Sequence, residues 1–270
     1  MSLYIVLALL ALGSCTGFLA GLLGIGGGMI ITPFLTLLLA SIIPGEHIVH
    51  VAIATSLATI MFTSLSSVRA HHKRGAVMWR VVAFIAPGIL VGALMGTKLA
   101  SLMSTFCLSS IFACFVGFSA YKMFSKSKPK PSRELPKTVG LFSVGGAIGC
   151  TSALVGAGGG FISVPFMVWC NVQMQKAVAT SAALGFPIAA AGTLGYIWTG
   201  MGVPGLDQVP YMLGYIHLPA LLSVSASSVL TAPLGAKVAH SMNTGPLKRV
   251  FACNLFILAS YMLYRAILAY

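Results

Sequence analysis

Long apolar runs, separated by short polar connections, fill this chain from end to end. Ten runs have helical length: 3–23, 29–43, 48–67, 78–99, 105–123, 138–155, 161–170, 177–198, 213–237 and 248–269. A helix needs about 20 apolar residues to cross a hydrocarbon core of roughly 30 Å. Several of the runs reach that length. The seventh does not: Phe161 to Cys170 rises only about 15 Å before meeting Asn171, Gln173 and Gln175. The pattern predicts an all-α, polytopic integral membrane protein in which some helices are broken or re-entrant. Leu3–Leu12 follows Met1 with no basic leader, so a first membrane helix is expected there and not a cleaved signal peptide.

One connection differs from the rest. Lys122–Lys137 is polar, basic and rich in proline, with Pro129, Pro131 and Pro136. It divides the chain into a first half, 1–121, a linker, 122–137, and a second half, 138–270, with five segments on each side. The halves echo one another. Gly17, Gly24, Gly26, Gly27, Gly28 and Pro33 recur 132 positions later as Gly149, Gly156, Gly158, Gly159, Gly160 and Pro165. Ala54-Thr55-Ser56 answers Ala179-Thr180-Ser181, and Pro87 answers Pro219. Gly96-Thr97-Lys98-Leu99-Ala100 answers Gly235-Ala236-Lys237-Val238-Ala239. The register slips between matches while the order of landmarks is kept, as in an internal repeat.

Composition sharpens this picture. Hydrophobic residues make up 58% of the chain and charged residues 7%, against about 25% in a soluble domain. No soluble catalytic domain is hidden here. The net charge of +13 suggests nucleic acid at first glance, but the charges lie in short connections, where they set topology. Arg69, Lys73, Arg74, Arg80, the six of Lys122–Lys137, Lys176, Lys237, Lys248 and Arg249 fall on one side if the segments cross in order; Lys98 and Arg265 fall on the other. The larger set marks the cytoplasmic side. The loop 69–80 is then internal and its counterpart 199–214, with Asp207, external. The two five-segment repeats are therefore expected to be inverted, with Trp79, Trp169 and Trp198 anchored at the interfaces. Cys15, Cys107, Cys114, Cys150, Cys170 and Cys253 form no C-x-x-C pair and read as small buried residues.

The paired glycine runs carry the candidate chemistry. If Gly26–Gly28 and Gly158–Gly160 open helices, their unpaired N–H groups and the positive end of each helix dipole face a common vertex, which suits an anion. Pro33 and Pro165 lie just beyond, where they free further backbone groups. Matched glycine interruptions in the two halves of a membrane protein point to a transport site. The three acidic residues, Glu46, Glu134 and Asp207, all sit in predicted loops, so no intramembrane carboxylate is available for a cation. Thr55, Ser56, Thr180 and Ser181 could donate hydroxyls to an oxyanion. The plainer alternatives stay open: glycines that serve close packing, and hydroxyls that bond backbone carbonyls. His71-His72-Lys73-Arg74 reads most simply as an orientation signal. Lys98 and Lys237 are expected to snorkel to the surfaces.

On the two glycine runs, the two Ala-Thr-Ser steps and the GTKLA and GAKVA endings, the chain resembles the sulfite exporter TauE/SafE family, also called the 4-toluene sulfonate uptake permease family. The second run departs slightly, with Ala153 in place of Gly21 and Ala157 in place of Ile25. The resemblance implies a carrier of the bacterial inner membrane that moves sulfite, sulfonates or related sulfur-containing organic anions, often outward. The expected binding residues are Gly24, Gly26, Gly27, Gly28, Pro33, Thr55, Ser56, Gly156, Gly158, Gly159, Gly160, Pro165, Thr180 and Ser181. No cofactor, catalytic set or metal site is expected, and the partners are a small anion and the lipid bilayer, not nucleic acid. The alternatives are a non-transporting membrane scaffold and a transition-metal transporter.

Overall fold

A computed structural model describes residues 3–24, 26–43, 46–124, 134–206, 208–241 and 245–268. Most of the basic linker, and Asp207, lie outside these described residues. The apolar runs fold into helices because a chain in hydrocarbon must satisfy its backbone polar groups internally. They are α1 (Leu3–Leu23), α2 (Gly28–Leu38), α3 (Ile48–His72), α4 (Trp79–Ser101), α5 (Thr105–Phe124), α6 (Thr138–Val155), α7 (Gly160–Trp169), α8 (Met174–Gly200), α9 (Leu218–Ser241) and α10 (Gly245–Leu268). Among the described residues, six helices (α1, α3, α4, α6, α8 and α9) are long and apolar enough to cross a membrane. The hairpins at the glycine runs are lopsided: α1 and α6 are of spanning length, whereas α2 and α7 have 11 and 10 residues.

Three sequence expectations need correction. The second segment ends at Leu38, not residue 43, because Leu39–Ile43 coils into turns. The ninth begins at Leu218, not 213. Met212–Leu213 and Ile216–His217 pair instead as a small antiparallel hairpin, turned at Gly214 with φ 56°. Pro87 and Pro219 are not equivalent. Pro219 is the second residue of α9, a position that suits proline, while Pro87 lies well inside α4.

Small residues set the closest packing. On α1, methyl groups at Gly13, Gly17 and Gly21 would overlap the α9 backbone at Val224, Ser228 and Ala232. On α4, methyls at Gly88 and Gly92 would overlap the Phe142 and Gly146 carbonyls of α6, and one at Gly96 would press on Cys150. Gly149, the counterpart of Gly17, meets Ile89 of α4 in the same way. For Gly17 and Gly149 the packing alternative is therefore the right one. α3 and α8 lie against each other at the centre; every residue from Ile48 to Ile60 is buried, as is every residue from Ala177 to Gly185. α5 packs on α10. Exchanging the two halves leaves the principal partners unchanged: α1 with α9 becomes α6 with α4, α3 with α9 becomes α8 with α4, and α2 with α3 becomes α7 with α8.

Candidate transport site

The chain turns from α1 into α2, and from α6 into α7, through backbone that only glycine adopts without strain. Gly24 and Gly156 follow the long helices at φ 67° and 66°. Gly27 and Gly159 cap the short ones at φ 76° and 72°. Gly26 adds a third left-handed position at φ 74°. Gly158 is not left-handed; its lack of a side chain serves close approach. A methyl on Gly26 would lie 2.9 Å from the Gly158 Cα, and one on Gly28 would overlap the Gly156 carbonyl oxygen. The two vertices therefore run antiparallel and in contact.

Neither short helix has a side-chain cap. In α2, the Ile30 and Ile31 N–H groups donate to the Gly27 carbonyl at 3.1 and 3.3 Å. In α7, Ile162 and Ser163 donate to Gly159 at 3.1 and 3.0 Å. The donors ahead of these bonds lie at the vertices, with the positive ends of the helix dipoles. The contact of Gly28 with Gly156 also sets the N-terminus of α2 against the C-terminal end of α6.

The serines and threonines join the halves. Ser56 Oγ, on α3, donates to the Gly156 carbonyl at 3.0 Å and lies 3.4 Å from that of Gly28. Ser181 Oγ, on α8, donates to the Gly24 carbonyl at 2.8 Å and accepts from Ser163 Oγ at 2.7 Å. Each serine thus grips the vertex of the other half. Thr55 Oγ1 accepts the His217 N–H at 3.1 Å, just ahead of α9, and Thr180 Oγ1 accepts the Met78 N–H at 3.0 Å, just ahead of α4. All four hydroxyl residues are fully buried.

A third matched pair was missed in the sequence. His71 Nε2 bonds the Gly21 carbonyl at 3.1 Å, and Tyr196 Oη donates to the Ala153 carbonyl at 3.1 Å. These carbonyls lie three residues before Gly24 and Gly156. Positions 71 and 196 are 125 apart, like Ser56 and Ser181, which is the signal that could have found them. His71 is wholly buried, so it belongs to the helix packing and not to a surface signal.

Not every candidate gathers here. Pro33 is buried beside the vertex, but Pro165 is exposed on α7. Lys98 and Lys237 are exposed, and Glu46 and Glu134 lie exposed outside the helices. Of the cysteines only Cys170 is buried; Cys15, Cys114 and Cys253 face outward, as apolar residues can where the surroundings are lipid. Among the described residues no His, Cys, Asp and Glu group could hold a metal ion. A cavity of about 480 Å³ is lined by Gly200–Gly202, Leu206 and Val209–Gly214, and no vertex residue lines it.

The sequence model of the sulfite exporter TauE/SafE family matches residues 9–262. A probable membrane transporter protein of Haemophilus influenzae is 35% identical over 97% of this chain and 99% of its own length. A probable membrane transporter protein of Bacillus subtilis is 29% identical over 86% of this chain and 89% of its own. One from Methanocaldococcus jannaschii is 25% identical over 94% of each chain. No solved structure matches. With the family's sequence spanning nearly every helix and both glycine vertices, the chain belongs to the sulfite exporter TauE/SafE family of membrane transporters, and it is not an enzyme.

Proposed function

We propose that this protein carries small oxyanions, sulfite or sulfonates foremost, across the bacterial inner membrane, binding them between the two glycine vertices. The observation that carries this reading is the contact of Gly26 with Gly158, which brings two glycine-capped helix N-termini from opposite halves to one place. No Asp or Glu occurs within the helices, which favours an anion over a transition-metal ion as the substrate. The exchange symmetry of the packing and the placement of Lys and Arg support inverted repeats, the geometry of alternating access.

With the vertices in contact, the anion enters as they part. That step releases Ser56 from Gly156 and Ser181 from Gly24 and frees both hydroxyls to donate to the substrate. Each such bond to a charged group contributes about 1.5–3 kcal/mol. Outward movement of one negative charge gains about 2.3 kcal/mol per 100 mV of inside-negative potential, so export is the favoured direction for the anion moving alone. The test is flux of radiolabelled sulfite, taurine-like sulfonates and small carboxylates from proteoliposomes. Movement of none of these above protein-free vesicles removes the reading. No observation favours a scaffold or a metal transporter.

A further inference from the structure

Thr32 lies one turn into α2, fully buried, and its hydroxyl has no hydrogen-bond partner. Thr36, Thr59 and Thr63, also buried, donate to the carbonyl one turn back, at Thr32, Thr55 and Thr59, across 2.9, 2.9 and 3.0 Å, whereas Thr193 on α8 shares the lack of a partner. Thr32 does not bond Gly28 in this way. It faces the other half's vertex instead: a methyl on Gly156 would sit 2.8 Å from Thr32 Oγ1.

Oxygen atoms gather at the vertex that this hydroxyl faces. Ser56 Oγ lies 3.0 Å from the Gly156 carbonyl oxygen and 3.4 Å from that of Gly28. The Met29 carbonyl lacks its helical donor, because residue 33 is proline. Gly156 is also the C-cap of α6, so the negative end of that helix dipole arrives here. Hydroxyl and carbonyl oxygens at the end of a broken helix are the usual setting of a coupling cation.

We propose that Thr32 Oγ1, Ser56 Oγ and the carbonyl oxygens of Gly28, Met29 and Gly156 bind one sodium ion. Divalent ions dehydrate reluctantly and take carboxylates, and none is present. Size selects among the monovalent ions. Ser56 Oγ–H donates to the Gly156 carbonyl at 3.0 Å, and the ion takes the place of that hydrogen bond. Oxygens about 2.4 Å from an ion of calcium's size lie roughly 3.4 Å from one another in an octahedral shell, and Ser56 Oγ already stands 3.4 Å from the Gly28 carbonyl oxygen. A potassium shell is wider. Val164 stands at the matching place in the second half, so the chain holds one such site and not two. The proposal rests on the reading of this protein as a carrier. It adds that one sodium moving with a monovalent anion carries no net charge, so that sodium and anion gradients set the direction in place of the membrane potential.

The test titrates purified full-length protein with NaCl against choline chloride at constant ionic strength, with KCl as comparison, and reads the melting temperature. We expect a saturable rise in NaCl that KCl does not reproduce. Thr32→Val, which copies the residue at position 164, weakens the apparent sodium affinity at least about tenfold and melts in choline chloride no lower than the parent. Thr32→Ser keeps the sodium response, and Ser56→Ala loses it. Equal responses to NaCl and KCl, or a sodium titration unchanged in Thr32→Val, overturn the site. Proteoliposome flux separates the two readings. Anion flux that persists in sodium-free medium at its full rate overturns the sodium site and leaves the carrier standing. Absence of flux with every cation removes the carrier, while the melting titration still decides whether sodium binds.

Discussion

The hydroxyl of Ser56 donates to the Gly156 carbonyl across 3.0 Å, and these residues belong to opposite halves of the chain. Ser181 returns the bond to Gly24. A buried carbonyl that loses its donor is left at a penalty of about 1–3 kcal/mol. Ser56→Ala and Ser181→Ala are each expected to destabilise by that amount, while Ser143→Ala, at an exposed helix position, stays within about 0.5 kcal/mol. Urea unfolding in detergent measures all three. Vertex-serine variants as stable as Ser143→Ala would show that the cross-half bonds contribute nothing.

The vertex glycines differ from an ordinary left-handed glycine in their surroundings. Gly75, at φ 64°, has open space where a side chain would go; at Gly27 a methyl would lie 2.9 Å from the Thr16 carbonyl oxygen, and at Gly159 it would overlap Ile188. All three alanine variants carry backbone strain of about 1–2 kcal/mol. Only Gly27→Ala and Gly159→Ala add steric overlap, so they are expected to lose anion flux and melt lower than Gly75→Ala. Flux at the parental rate in both vertex variants would displace the site.

Gly92 and Gly146 face each other between α4 and α6, yet they respond differently to a methyl. At Gly92 it would overlap the Gly146 backbone; at Gly146 the nearest atom is the Gly88 carbonyl oxygen at 3.8 Å. Gly92→Ala should therefore destabilise by roughly 1–3 kcal/mol through overpacking. Gly146→Ala should be neutral or gain up to about 1 kcal/mol from helix propensity. Thermal melts of the pair, with size-exclusion profiles, give the comparison; the reverse order would contradict this packing.

His217 supplies a pH dependence. Its ring Nδ1 accepts the Ala220 N–H at 3.3 Å in the first turn of α9, and burial holds its pKa below the ordinary value. The neutral ring is thus the form that the fold favours. The stability it contributes is complete above the unfolded value of about 6.5 and is lost as pH falls through the lower folded value. The melting temperature should decline below about pH 6.5, and His217→Asn, which keeps a capping acceptor, should reduce that slope. An identical slope in parent and variant would assign the acid sensitivity elsewhere.

The helices were legible because lipid leaves a segment few options but to pair its own backbone, and polar residues mark where each run stops. Leu39–Ile43 defeated that rule: it is apolar, yet it turns. The hairpin before α9 was hidden because two-residue strands are too short for any period to show. The glycines, Ser56 and Ser181 could be picked out as a repeated set. Which way their hydroxyls point could not, since the acceptors lie 100 and 157 positions away. His71 was masked by the basic residues beside it, although its spacing from Tyr196 matches the serine step.

The mutual grip of the two vertices has a mechanical outcome. Each glycine elbow takes a serine bond from the opposite half, Gly156 from Ser56 and Gly24 from Ser181, so dragging one out of place slackens the hold on its twin. A protein split at the basic linker is therefore expected to need both fragments together before either could keep its fold at the core.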